Sequence, residues 1–205
     1  MNDFKMMKDK YSGIINELSD KELLFHLYLT QMILLFVSII LSVILFDSFR
    51  EFSDLFIWND FNILLIGGTA GLAIVLLDII FMKILPLSFY DDGGLNKRVF
   101  RNRSVIHIGF IAAIVSFSEE LLFRGVIQTH VGLIITSIIF AVIHYRYLFN
   151  WFLFLNIIVL SFFIGFIFQM TGNLFVTIFM HFIIDFLLGV LIKFRYKGQE
   201  GIFNE

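Results

Sequence analysis

The stretch IHIGFIAAIVSFSEELLFR, residues 106–124, decides the fold. Ile106 to Phe117 is a membrane-like run, and Leu121 to Phe123 is apolar again. Glu119, Glu120 and Arg124 interrupt it. A carboxylate or guanidinium at the bilayer centre costs about 2.5–3.5 kcal/mol at the least. Two acids and a base within six residues therefore mark a functional candidate whose partners lie in other apolar segments. His144 and His181 sit in such segments. Glu120 and Arg124 are four apart, on one helical face, with the acid first, the favourable order for a pair. Glu119 points about 100° away around the helix. The two acids thus cannot do the same job. One is held by Arg124, and the other faces an internal cavity. Burial disfavours the ionised form of a carboxylate, which suits it to general-base work near neutral pH.

The rest of the chain agrees with a membrane reading. Of 205 residues, 59% are hydrophobic and 16% charged, with a mean hydropathy of +0.91. Soluble domains carry about 25% charged residues. An all-α, polytopic membrane helix bundle of about six transmembrane helices is expected. A span needs about 20 mostly apolar residues. The spans read as 27–46, 61–85, 104–130, 132–145, 148–170 and 174–192. This divides the chain into an N-terminal segment (1–26), two helices with a basic loop (27–103), a four-helix catalytic core (104–192) and a tail (193–205). Pro86 stands where the second helix should stop. Asp91-Asp92-Gly93-Gly94 is a turn signal. Ser19-Asp20-Lys21-Glu22 fits a capping box that leads an approach helix into the first span, a loose polar tail being the alternative. No signal-peptide cleavage site follows a short apolar core, so the first span is expected to act as insertion signal.

Basic residues cluster in alternate loops: Lys5, Lys8, Lys10 and Lys21; Lys97, Arg98, Arg101 and Arg103; Arg146; and Lys193, Arg195 and Lys197. The opposite loops hold Arg50 among Asp47, Glu51, Asp54 and Asp60. With six spans all the basic segments share one side, which predicts cytoplasmic termini. They form no stripe for nucleic acid. The absence of cysteine excludes a disulfide framework and a thiolate nucleophile.

The other deep polar residues suggest a site. His181 and Asp185 are four apart on one helical face, able to act as metal ligands or as an imidazole with its orienting carboxylate. His144 ends the fourth span, with Phe140 one turn earlier. Alone, the Glu–Arg pair reads equally well as packing and a lone histidine more readily so; their concentration in successive helices favours chemistry. Asp78 is the leftover, expected to pair with Lys83 or Arg124 or to accept an interhelical hydrogen bond. Gln31, Asn156 and Gln169 are expected to bond between helices. Gly67-Gly68 and Gly71 are small-residue packing positions. No H-E-x-x-H, G-x-S-x-G or phosphate-binding loop is present.

Three motifs carry a resemblance: Glu119-Glu120-Leu-Leu-Phe-Arg124-Gly125, Phe140-Ala-Val-Ile-His144 and His181-Phe-Ile-Ile-Asp185. In order and spacing they are similar to the E-E-x-x-x-R, F-x-x-x-H and H-x-x-x-N/D pattern of the CPBP family. These are the CAAX proteases and bacteriocin-processing enzymes, also called the Abi family. The resemblance covers residues 106–188. It implies an intramembrane endopeptidase with Glu119 as the base that activates water and His144 helping to hold that water. His181 and Asp185 would bind a metal or stabilise the oxyanion, and Glu120 and Arg124 would set the site's structure. It leaves open a metalloprotease, with zinc on Glu119, His144, His181 and Asp185, or a metal-independent glutamate protease. Asp185 stands where the family often has Asn, which tilts toward a metal unless the Asp is protonated. The expected partners are a peptide or membrane-protein substrate and the lipid bilayer. The competing readings are a non-enzymatic bacteriocin self-immunity factor or scaffold and, behind it, a proton-coupled transporter, which the lack of a repeated half argues against.

Overall fold

The computed structural model describes Gly13 and residues 17–90 and 92–202. Lys5, Lys8, Lys10 and Asp91 lie outside the described residues, as do the side chains of Arg146 and Lys197. Among the described residues, helices account for the regular structure. They are α1 (Asp20–Leu45), α2 (Phe49–Ser53), α3 (Thr69–Ile84), α4 (Leu95–Phe100), α5 (Val105–Glu120), α6 (Thr129–Val131), α7 (Leu133–Ile143), α8 (Trp151–Thr171) and α9 (Leu174–Ile202). Two π-helical segments interrupt the long helices: Ile63–Gly68 ahead of α3, and Leu121–Gln128 between α5 and α6. Among the described residues, five helical stretches are long and apolar enough to cross a membrane, and α7 is a shorter apolar helix.

Local chemistry sets the boundaries. The Ser19 hydroxyl accepts from the Glu22 amide at 3.3 Å, and the Glu22 carboxylate accepts from the Ser19 amide at 2.7 Å. This capping box starts α1 at Asp20, so the approach helix and the first span are one helix rather than a span beginning at 27. Leu85 ends α3 in extended geometry ahead of Pro86. Gly172, at φ 61°, lets the chain reverse between α8 and α9.

α9 is the central helix, packing on α5, α3, α8 and α4. Its inner face supplies Val176, Met180 and Ile184 to a core with Val75, Ile164 and Ile167. Gly67 and Gly71 allow the close approach: a Cβ on Gly67 would lie 2.6 Å from the Val176 carbonyl oxygen, and one on Gly71 2.9 Å from that of Met180. The small residues thus bring two backbones together, the usual way membrane helices associate.

The two ends of the bundle are chemically distinct. At one, Arg98 meets Asp20 at 3.0 Å, Lys193 donates to the Arg103 carbonyl, and Asn150 donates to the Ser88 carbonyl at 2.9 Å. At the other, the Leu174 amide donates to the Leu55 carbonyl at 2.8 Å, and buried Asn173 donates to Ile57 and Asp60 at 2.9 and 3.0 Å. These contacts put the start of α1, the 88–103 segment, the 145–150 segment and Lys193 at a basic end. The 47–60 and 171–174 segments lie at an acidic one.

Candidate active site

The acids sit where α5 gives way to the π-helical segment. Glu119 is buried, and Glu120 and Arg124 are fully enclosed. Glu120 Oε2 lies 3.4 Å from Arg124 Nε, on the expected face. The π-helical turn was not legible in the sequence; such turns recur at functional sites. At this turn the Arg124 carbonyl accepts from the Thr129 hydroxyl at 3.1 Å. Arg124 also donates to the Ser161 carbonyl at 3.1 Å and lies over the Phe140 ring at 4.8 Å from its centroid. Burying a guanidinium requires such partners. Ser161 was not singled out in the sequence, where a serine in an apolar span carries no distinguishing signal.

Glu120 has a second partner. Its Oε1 lies 2.9 Å from His181 Nδ1. A carboxylate beside Arg124 only accepts, so the imidazole donates from Nδ1. His181 Nε2 is left facing Asp185 Oδ2 at 3.5 Å. If Asp185 is ionised and Nε2 bare, two acceptors confront each other. The contact is satisfied when the pair holds one proton between them.

His144 is the C-cap of α7. Its Nδ1 lies 2.8 Å from the Phe140 carbonyl oxygen, so Nδ1–H donates there and Nε2 is turned toward Glu119 Oε2 at 4.0 Å. The ring stacks on Phe140 at 4.3 Å between centroids. The shortness of α7 explains how His144 reaches the acids. At 1.5 Å per residue, His144 lies about 16 Å from the acidic end of the bundle, Glu119 about 18 Å, and His181 and Asp185 about 10 and 17 Å. A full-length helix would carry His144 past them.

All six sequence-identified residues therefore converge. Other expectations divide. Asp78 pairs with neither Lys83 nor Arg124 and bonds to no helix among the described residues. Gln31 does bond between helices, accepting from Ser118 at 2.5 Å, but Asn156 lines a cavity and Gln169 is exposed. A metal fits poorly as the side chains stand. His181 Nδ1 is committed to Glu120, and among the described residues no three His, Asp or Glu side chains form a group able to hold an ion. Zinc would need its ligand atoms about 2.0–2.2 Å from one centre.

A family model for type II CAAX prenyl endopeptidase Rce1-like proteins matches residues 101–187, which include every residue of the site. The uncharacterized protein YpbD of Bacillus subtilis (strain 168) is 40% identical over 172 residues, 84% of this chain and 91% of that protein. The chain belongs to the Rce1-like family. The Rce1-like match bears out the CPBP resemblance read from the three motifs, and it supports protease activity and a multi-pass membrane protein in kind. No solved structure matches the chain.

Proposed function

We propose that this Rce1-like chain is an intramembrane endopeptidase that hydrolyses a peptide bond through water held by Glu119 and His144. The observation that carries the reading is the 4.0 Å separation of Glu119 Oε2 and His144 Nε2. Two groups that each contact one water at about 2.8 Å in tetrahedral geometry stand about 4.6 Å apart, close to that value. With His144 Nδ1–H turned to Phe140, Nε2 and the carboxylate both accept. The water donates both hydrogens to them and presents its lone pairs to the scissile carbonyl.

Glu119 then takes one proton as the water oxygen bonds to the carbonyl carbon. The developing oxyanion is met by the proton shared between His181 Nε2 and Asp185. An acid can then serve where the family often has Asn, because in the protonated pair it is not a bare anion. Collapse breaks the C–N bond, and Glu119 returns its proton to the departing nitrogen. Glu120 touches no reacting atom; it orients His181 and balances Arg124.

A largely apolar pocket of about 620 Å³ lies between α1, α5 and α9, lined by Leu35, Ile114, Ser116, Phe179 and Phe182. Ser116 is one turn from Glu120. The pocket offers a lipid chain a seat beside the site, which suits a prenylated CAAX-type substrate. The basic end is proposed to face the cytoplasm, with both termini on that side. Cleavage of a farnesylated, fluorescently quenched CAAX peptide by proteoliposomes tests the function. Product at the expected bond supports it, and its absence with every prenylated and unprenylated peptide tried counts against it. If Glu119→Gln and His144→Ala cells keep the chain's full biological activity, the immunity-factor or scaffold reading prevails.

A further inference from the structure

The face of α9 that carries His181 and Asp185 continues past the site. Leu188, Ile192 and Arg195 follow at helical spacing and line a second cavity of about 440 Å³. Asp78 of α3, Asn156 of α8 and Tyr90 from the segment after α3 form its other walls. Measured along the helices from the acidic end, Asp78 and Asn156 lie at about 22 Å, one residue layer beyond Asp185 at about 17 Å. The cavity thus begins where the catalytic face of α9 leaves the site and runs toward the basic end.

Three side chains of its wall, Asp78, Tyr90 and Asn156, are unspent among the described residues. The Tyr90 hydroxyl is buried with no hydrogen-bond partner among the described residues. Asp78 and Asn156 make no side-chain hydrogen bond or ion pair among them either. Buried polar groups are nearly always paired, so the Tyr90 hydroxyl calls for an explanation, while Asp78 and Asn156 are half-buried. Burial and the Asp78 carboxylate push the Tyr90 phenol up, so it keeps its proton and remains a donor. Asp78 accepts, and Asn156 does both. That set complements the alternating N–H and C=O groups of an extended main chain.

We propose that this cavity binds the substrate's main chain on the basic-end side of the scissile bond, with Asp78, Tyr90 and Asn156 as its hydrogen-bonding partners. The assignment rests on the proteolytic reading and extends it. From Asp185 to Arg195 α9 runs about 15 Å. An extended chain rises about 3.3 Å per residue, so about four to five residues fit along that wall. Arg195 stands exposed at the mouth.

The chain has no cysteine, which allows a clean test. Leu188→Cys is introduced in the Glu119→Gln protein, and its labelling by a water-soluble maleimide is timed with and without a randomised hexapeptide library at millimolar concentration. Phe49→Cys, exposed at the acidic end, serves as the control for fold and reagent. The expected result is labelling slowed at least fivefold at Leu188→Cys and unchanged at Phe49→Cys. Adding Tyr90→Phe and Asp78→Ala should return the rate to within twofold of the peptide-free value. Equal rates with and without peptide overturn the proposal. So does protection that survives Tyr90→Phe and Asp78→Ala, or equal protection by phospholipid vesicles alone, which assigns the cavity to a headgroup. Because this protein lacks Glu119, protection does not depend on hydrolysis. Protection without any cleavage by the wild type keeps the peptide site and removes the protease reading.

Discussion

His181 and Glu120 are 61 residues apart in the chain, yet the imidazole Nδ1–H donates to the Glu120 carboxylate at 2.9 Å. The same carboxylate faces Arg124 at 3.4 Å. Glu120 therefore joins three helical segments: the end of α5, the π-helical turn and α9. Its neighbour Glu119 faces His144 instead. Adjacent acids separated by one helical step thus serve two different networks.

Glu120→Gln is expected to be chiefly a stability defect. It leaves the Arg124 guanidinium, fully buried, without its counter-charge. Removing one partner of a buried pair costs about 3–5 kcal/mol. The thermal midpoint in detergent should fall clearly, and activity should fall with the folded fraction and with the loss of His181 alignment. A midpoint equal to wild type would show that the pair carries no structural load.

His144→Ala is expected to leave the fold in place and lower turnover about 10²–10⁴-fold, the range for a lost acid–base partner. The His144 side chain is partly exposed, and Phe140 keeps its contact with Arg124 without it. Circular dichroism with a steady-state rate checks both halves of the statement.

Gly67→Ala should destabilise the bundle by about 1–3 kcal/mol, because its Cβ meets the Val176 carbonyl at 2.6 Å and backbone cannot step aside cheaply. Gly68→Ala is the built-in comparison. Its Cβ would meet only the Phe179 ring at 3.6 Å, ordinary contact. Melting the two variants in parallel separates close helix approach from a general intolerance of side chains in this turn.

The acidic end should respond to pH. The Asn173 amide, and then the Asn62 backbone N–H, hold the Asp60 carboxyl below the ordinary aspartate value. A carboxyl lowered in the folded state supplies stability that is fully present above its unfolded value, about 3.9. That stability is lost as pH falls through the folded value. The wild-type midpoint should therefore drop below about pH 4, and Asp60→Asn should show a smaller drop over the same range. Parallel titration curves for the two proteins would contradict the assignment.

Much of this was legible beforehand because helical spacing is arithmetic. Glu120–Arg124, Phe140–His144 and His181–Asp185 are all four-residue pairs, and each pair meets as that spacing requires. The capping box at Ser19 was readable for the same reason, since its partners are three residues apart. Contacts between helices were less accessible. Nothing local says that Glu120 reaches His181 or that Arg124 reaches Ser161. The π-helical turn at Leu121–Gln128 also left no mark, because LLFRGVIQ is as good an α-helical sequence as its flanks. Asn156 read as a helix–helix glue residue, because an amide in an apolar span looks the same whether it faces a neighbour or a cavity.

The division of labour between the two acids is tested by one paired measurement. Turnover of a prenylated CAAX peptide and the thermal midpoint are read for purified Glu119→Gln beside the wild type, each with and without a chelator. The expected result is a midpoint within about 1 kcal/mol of wild-type stability, turnover reduced at least about 10²-fold, and no effect of the chelator on either protein. Undiminished turnover by Glu119→Gln, or wild-type activity abolished by chelator and restored by zinc, would contradict it.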